Sequence, residues 1–412
     1  MTPPSDSFSL ARDFRPGEGG SPERGRRVLI TGGAGFIGSH LADDLLAAGW
    51  HVRALDNLDP QVHGEAAHAE GRRPAYLDGR VELRVGDVRD RVAVDAALEG
   101  VDAVVHFAAA VGVGQSMYEI RRYTEVNNVG TATLLEAIAE LPAAKRPLRL
   151  LVASSMSIYG EGLYETADGD LVHTAGRKLA DLKAHAWEPR DDRGRPLLPL
   201  PTSEAKTPSL SSVYALGKYD QERMALMVGA AYGVATTAMR FFNVYGTRQA
   251  LSNPYTGVLA IFAGRLLGGE APMVYEDGEQ RRDFVHVSDV ARCCRLALDA
   301  EAEAVDGEVF NVGSGQPRTV REVARSLADV TGHGDLAPTV AGKYRVGDIR
   351  HCFADIVKAR RVLGYEPAVD WNDGLAELAA WVERQRDDAE VSAAVARTRS
   401  ANAELAERGL AV

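Results

Sequence analysis

From Arg27 onward, short apolar runs alternate with longer, more polar stretches of helical character. The apolar runs are RVLI (27–30), HVRAL (51–55), VELRVGD (81–87), AVVHFAA (103–109), RLLVASS (149–155), ATTAMRFFNV (235–244) and EVFNVG (308–313). Strands that alternate with helices argue for a parallel sheet covered on both faces. The pattern predicts an α/β fold: a doubly wound parallel sheet of Rossmann type with a smaller, discontinuous α/β domain beside it.

The alternation breaks between Glu161 and Pro201, a polar segment with WEPRDDRGRPLLPLPT near its end. It reads as an insertion (161–201) at the active-site rim, since such loops extend from the carboxyl ends of strands. After Gly246 the chain leaves the sheet pattern, rejoins it around Phe284 to Gly313, and leaves again. The expected division is a nucleotide-binding domain at 26–245 and 284–313, and a substrate-binding domain at 246–283 and 314–382. A cleft between them would hold substrate. Residues 1–25 are polar and rich in Pro and Gly, so they read as a disordered tail rather than a signal peptide. Residues 383–412, charged and Ala-rich, read as a helical tail.

Composition narrows the class. The 412 residues are 45% hydrophobic, enough for a sizeable core, and the net charge of −11 disfavours nucleic acid or an anionic membrane as partner. No run of eighteen apolar residues occurs, so no membrane span is expected. The three cysteines, Cys293, Cys294 and Cys352, form neither a disulfide framework nor a metal-ligand spacing, and they fit a reducing cytoplasm.

The candidate chemistry begins at TGGAGFIGSH (31–40). A strand enters Gly32, Gly35 and Gly38, and a helix leaves. Glycines there allow a tight turn and a close approach of backbone N–H groups to a pyrophosphate, which the positive helix end favours. A glycine-rich turn alone can be purely structural. Here a second strand follows and ends in Asp56, whose carboxylate can accept both ribose hydroxyls and would repel a 2′-phosphate. The expected cofactor is NAD rather than NADP. Downstream, Tyr214 and Lys218 stand four apart in SSVYALGKYDQERMAL and share one helix face. An ammonium beside a phenol favours the phenolate and hence a general base. Ser155 ends the strand RLLVASS, where a hydroxyl reaches the crevice. Ser154 and Ser157 read more readily as turn caps.

Taken together, TGGAGFIGSH, Asp56, GDV (86–88), HFAAAVGV (106–113), NNVGT (127–131), SSMSIYG (154–160), YALGK (214–218), RFFNVYG (240–246), RRDFVHVSDVA (281–291) and YRVGDIRH (344–351) occur in one order. That order resembles the extended short-chain dehydrogenases/reductases, the NAD-dependent nucleotide-sugar epimerase/dehydratase family, over residues 27 to 380. The resemblance implies that Gly32, Gly35 and Gly38 hold the pyrophosphate, Asp56 the adenosine ribose, and Asp87 with Val88 the adenine, with Phe36, Ile37 and Asn57 also binding the cofactor. It places Ala108 on the loop beside the cofactor, with Asn127 supporting it from behind. Ser155, Tyr214 and Lys218 would form the catalytic set, and Lys218 would also bind the nicotinamide ribose. Asn243, Arg282, Arg345 and Asp348 would contact a nucleotide-diphospho-sugar, the arginines as guanidinium forks on phosphate. His106 and His286 read as structural.

In the family's 4,6-dehydratases an Asp-Glu pair follows the catalytic hydroxyl. Here Met156 and Ser157 stand there, which favours epimerisation at C4 over elimination. Dehydration or decarboxylation elsewhere on the ring is the alternative, and a non-catalytic NAD-binding protein a remote one. SSMSIYGEG, the WEPR insertion and YALGKYDQE are most similar to the dTDP-L-rhamnose 4-epimerase-like subgroup. Many of its members carry a cysteine pair where this chain has Asp191, Asp192 and Arg193. The resemblance also implies a homodimer built on helices near 127–139 and 214–228, and no metal.

Overall fold

All seven apolar runs enter one parallel sheet in the computed structural model, which describes residues 26–173, 176–250, 257–344 and 348–385. The strands are β1 (Arg27–Thr31), β2 (His51–Asp56), β3 (Glu82–Val85), β4 (Ala103–His106), β5 (Arg149–Ser155), β6 (Ala235–Phe241) and β7 (Val309–Val312). Their order is β7-β6-β5-β4-β1-β2-β3. The winding direction reverses between β1 and β4, so a crevice opens beyond their carboxyl ends.

Successive residues of each strand face opposite layers. Val28 and Ile30 enter one core and Leu29 the other, all three fully buried. Each contributes about 1.5–3 kcal/mol through burial. Four helices supply the covering faces: α1 (Phe36–Ala47), α2 (Gly130–Glu140), α3 (Val213–Tyr232) and α4 (Val287–Asp299). Leu41 and Leu45 of α1 and Val290, Cys293 and Cys294 of α4 fill the first core. Leu134, Leu135 and Ile138 of α2 and Ala225 and Leu226 of α3 fill the second.

The domain boundaries differ from those expected. Phe242 separates β6 from a strand at Asn243–Tyr245, which joins a different, four-stranded sheet. The centre of that sheet is Arg281–His286, so the expected boundary at 284 falls inside one strand. The chain returns to the large sheet after it, with α4 and then β7. Conversely, Cys352, Ala354, Ile356, Ala359, Leu363 and Tyr365 pack into the first core. Where a chain passes between adjoining sheets, its apolar run continues across the boundary and leaves no break in pattern. The small domain has its own core of Leu259, Phe262, Leu266, Val323, Leu327, Leu375 and Leu378.

The 161–201 insertion forms a three-stranded antiparallel sheet, with Leu163–Glu165 between Leu171–Val172 and Leu198–Leu200. Charges fasten it to the small domain. Buried Arg350 bonds Glu188 at 2.6 Å, Asp277 at 2.6 Å and Glu276 at 3.0 Å, and His351 Nε2 lies 2.8 Å from Glu188. Arg177 of the insertion lies 2.6 Å from Glu276. Where the cysteine pair would stand, Asp191 instead closes the turn through Arg195 at 2.7 Å. The tails expected at 1–25 and beyond Gln385 lie outside the described residues. Among the described residues no helix is long and apolar enough to cross a membrane.

Candidate active site

The turn after β1 is built around absent side chains. Gly32 has φ +70°, and a Cβ there would lie 2.9 Å from the backbone nitrogen of Ala108. A Cβ on Gly38 would lie 2.3 Å from the Gly32 oxygen. Gly35 is the N-cap of α1, extended and without a side-chain hydrogen bond to the helix end. The first N–H groups of α1 therefore face the crevice with no side chain capping them, a cradle of the size and polarity a pyrophosphate needs. Half-buried Phe36 and Ile37 form the first turn beside it; Ile37 packs on the first core. The protein thus fits the dinucleotide the fold implies.

Asp56 ends β2 at the mouth of this turn. Its Oδ2 accepts from Ala34 N at 3.0 Å and its Oδ1 from Leu58 N at 2.9 Å, which fixes the carboxylate while leaving acceptor sites on both oxygens. Asn57 donates to Asp87 at 3.0 Å. Asp87 also accepts three bonds from Arg89, two at its Oδ1 and one at its Oδ2. The Arg89 hydrogen bonds hold the Asp87 carboxyl down at about 2. Its four acceptor sites are all engaged, so an adenine amino group would have to displace Arg89. Val88 is buried against Gly130 of α2.

Ala108 follows β4 and donates its N–H to Thr31 Oγ1 at 3.2 Å. Asn127, fully buried, grips Ala110 at both ends: Oδ1 accepts from its N–H at 2.8 Å and Nδ2 donates to its carbonyl at 3.1 Å.

Ser155 ends β5, and Tyr214 and Lys218 line the first turns of α3. Ser212 caps that helix by accepting from Ala215 N at 3.1 Å, and Tyr214 N donates to Ser116 Oγ at 3.0 Å. Ser155 Oγ accepts from both the N–H and the hydroxyl of Ser157, at 3.2 and 2.9 Å. With both lone pairs engaged, its own hydrogen is left to donate. Burial pushes the Tyr214 phenol up, and a hydrogen bond from Ser155 opposes the rise. Burial also lowers the Lys218 ammonium to about 7. This corrects the electrostatic expectation: in the protein alone, desolvation outweighs any help the lysine gives the phenolate. Ser154, read as a turn cap, instead donates to buried Glu222 at 2.6 Å, and Glu222 pairs with Arg240 at 2.7 Å.

Sequence reading missed Gln221. It is fully buried, accepts from Lys218 Nζ at 2.8 Å and donates to Thr131 Oγ1 at 2.8 Å. His106 lies in the same group, and burial lowers its pKa to about 3, so it is neutral. A glutamine on a helix carries no chemical signature until its partners, ninety residues away, fold against it.

On the small-domain side, Asn243 Oδ1 is buried without a hydrogen-bond partner, an acceptor fit for a ligand hydroxyl. Arg282 and Asp348 come together at 3.7 Å. However, the guanidinium of Arg282 turns onto the carbonyls of Arg281, Ile349 and Arg350, where it staples the 348–350 loop. A diphosphate would share it with that loop. Arg345 lies outside the described residues.

Two family models match the chain: GDP-mannose 4,6 dehydratase over residues 29–168, and the NAD dependent epimerase/dehydratase family over residues 189–313. The chain is 36% identical to a dTDP-L-rhamnose 4-epimerase of Burkholderia thailandensis, over 88% of this chain and 96% of that protein. It is 30% identical to a UDP-N-acetyl-alpha-D-glucosaminuronate decarboxylase of Bacillus cytotoxicus, over 88% and 99%. Among solved structures, the Thermus thermophilus UDP-glucose 4-epimerase in complex with NAD is 30% identical and superimposes with a TM-score of 0.65, covering 87% of this chain and 99% of that one.

Proposed function

The chain belongs to the NAD-dependent epimerase/dehydratase family, and from that membership and the site geometry we propose that it is a nucleotide-sugar 4-epimerase. It inverts C4 of a dTDP- or UDP-linked hexose, 6-deoxy sugars included, through a transient 4-keto intermediate. Bound NAD supplies a reversible hydride acceptor, so no external reductant is consumed. The turn at Gly32, Gly35, Phe36, Ile37 and Gly38 holds the pyrophosphate. Asp56 and Asn57 take the ribose, Asp87 and Val88 the adenine edge, and Ala108, backed by Asn127, the inner wall.

In this reading Ser155 donates a hydrogen bond toward the reacting hydroxyl or the phenol, and Tyr214 takes the proton from the C4 oxygen. Lys218 holds the nicotinamide ribose and supplies positive charge beside the phenol. Asn243 accepts from the sugar, Arg282 and Arg345 take the diphosphate, and Asp348 the nucleoside. One observation carries epimerisation over elimination: after Ser155 stand buried Met156 and Ser157, and the Ser157 hydroxyl is committed to Ser155. No carboxyl acid–base pair occupies those positions, so loss of a ring hydroxyl lacks its catalysts there.

The enzyme works as a homodimer in the reducing cytoplasm. Support for the first is the apolar surface of Val129, Leu216 and Met227, each about half exposed. Support for the second is that Cys293, Cys294 and Cys352 are free thiols.

Proton NMR in deuterated water, with dTDP-L-rhamnose, UDP-glucose and UDP-glucuronate supplied separately, tests the reaction. Inversion at C4 with no deuterium on the ring is expected for one of them. A 4-keto product carrying ring deuterium, or release of carbon dioxide, would replace this reading with a dehydratase or a decarboxylase.

A further inference from the structure

Lys218 is supported from behind by a closed polar network. Thr131 has one hydroxyl hydrogen, and it goes to the carbonyl of Asn127 at 2.5 Å. Thr131 Oγ1 therefore accepts from its two other neighbours, Gln221 Nε2 at 2.8 Å and His106 Nε2 at 2.8 Å. This fixes two orientations. Gln221 must turn its amide oxygen toward Lys218 Nζ, 2.8 Å away. His106 must carry its proton on Nε2, so Nδ1 accepts the Thr31 hydroxyl at 2.7 Å. Thr31 in turn accepts from Ala108 N, and the Asn127 side chain clamps Ala110. Lys218, Gln221, His106, Thr131, Thr31 and Asn127 are all nearly or wholly buried.

We propose that Gln221 is a positioning residue: it fixes the direction of the Lys218 ammonium and ties it to the 108–110 loop beside the cofactor. The inference rests on the reading of Lys218 as a catalytic residue. An uncharged partner at this position holds the ammonium in place without neutralising it. The charged or titratable groups around Lys218 leave that work to Gln221. His106 of β4 is neutral, Tyr214 and Glu222 share α3 with it, and Glu222 is engaged by Arg240 of β6 and Ser154 of β5. The helical segments at 113–116 and 124–129 and α2 present the neutral Ser116, Asn127 and Thr131.

Three variants test this: Gln221→Leu, Gln221→Glu and, as control, Lys218→Met. Turnover is measured against pH, and thermal stability is followed between about pH 6 and pH 9. Gln221→Leu leaves a buried donor unmet, so kcat falls about 10- to 100-fold with KM little changed. Gln221→Glu keeps an acceptor for the lysine, makes it anionic and loses the donor to Thr131, so kcat falls less than in Gln221→Leu while the lysine-dependent limb of the pH profile moves alkaline by about one unit or more. The stability readout is independent of activity. A lysine whose folded pKa is depressed makes the wild type gain stability as pH rises from about 7 toward its unfolded value of about 10.4. Gln221→Glu raises the folded pKa and so shrinks that gain, moving the protein toward the flat pH dependence of Lys218→Met. A Gln221→Leu protein with wild-type kcat and pH profile, or a Gln221→Glu protein with an unmoved limb, overturns the inference. If Lys218→Met also keeps full turnover, the fault lies instead in the assignment of the lysine.

Discussion

In the proposed function two side chains divide the chemistry between binding and reaction, and each can be removed without the other. Tyr214 is buried in the first turn of α3, held by Ser116 behind and Ser155 in front. Tyr214→Phe keeps the ring and its edge contact with Tyr123 but deletes the proton acceptor. Turnover should fall about 10²- to 10⁴-fold, with NAD content after purification unchanged. An active Tyr214→Phe protein would assign the base elsewhere. In that proposal Asp56 acts on binding alone. Its carboxylate is held by two backbone N–H groups at the end of β2, and its charge repels a 2′-phosphate. Asp56→Ala should narrow the preference for NAD over NADP at least tenfold in titrations with each dinucleotide. An unchanged ratio would place the ribose contact on another residue. Both placements were legible in the sequence because each rests on a local pattern: a strand end for Asp56, a four-residue helix spacing for Tyr214 and Lys218.

Elements were legible where burial on both faces made an apolar run, as in β1, β4, β5 and β6. They were not legible where long-range pairing made the structure. Arg281–His286 is a strand because three short partners meet it from positions 243, 317 and 351. Nothing in its own alternation separates it from the large sheet. The attachment of the insertion is hidden for the same reason. Arg350 looks like one arginine in YRVGDIRH, but it is 1% exposed and bonded to three carboxylates from two other segments. Arg350→Ala leaves Glu276, itself 2% exposed, with Arg177 as its one close cation among the described residues and strips Glu188 and Asp277 of their shared arginine, so stability should drop by about 1–3 kcal/mol in denaturant unfolding. Proteolysis within 161–201 should quicken in the same variant. Glu188 gives the milder test. Burial pushes its carboxyl up, but hydrogen bonds and charge from His351 and Arg350 outweigh that and hold it at about 2. A carboxyl depressed on folding contributes stability that is whole above its unfolded value of about 4.3 and is lost as pH falls toward 2. The stability gap between wild type and Glu188→Gln should therefore close over that interval. A constant gap would mean that the clasp does not depend on the carboxylate charge.

At the scale of the molecule, the open question is what covers the outer surface of α3. Leu216 and Met227 are 46% and 56% exposed, eleven residues apart on one helix. Eleven residues make almost exactly three turns, so the two side chains lie on one stripe. Val129, 50% exposed at the start of α2, continues the apolar surface onto the helix packed beside α3. The inner faces of these helices fill the second core, so their amphipathic pattern is accounted for without these residues. A net charge of −11 works against association in general. Pairing therefore requires a local apolar patch, and a second copy brings the same patch about a twofold axis. Leu216→Glu combined with Met227→Glu places two carboxylates per subunit in that contact. In sedimentation velocity at micromolar concentration the wild type should run at twice the chain mass and the double variant at the chain mass, with NAD retained in both. A variant that still sediments as a dimer would move the interface off α3. A wild type that sediments as a monomer would remove the dimer from the proposed function, while the site between β1, β4 and α3, built wholly from one chain, would stand.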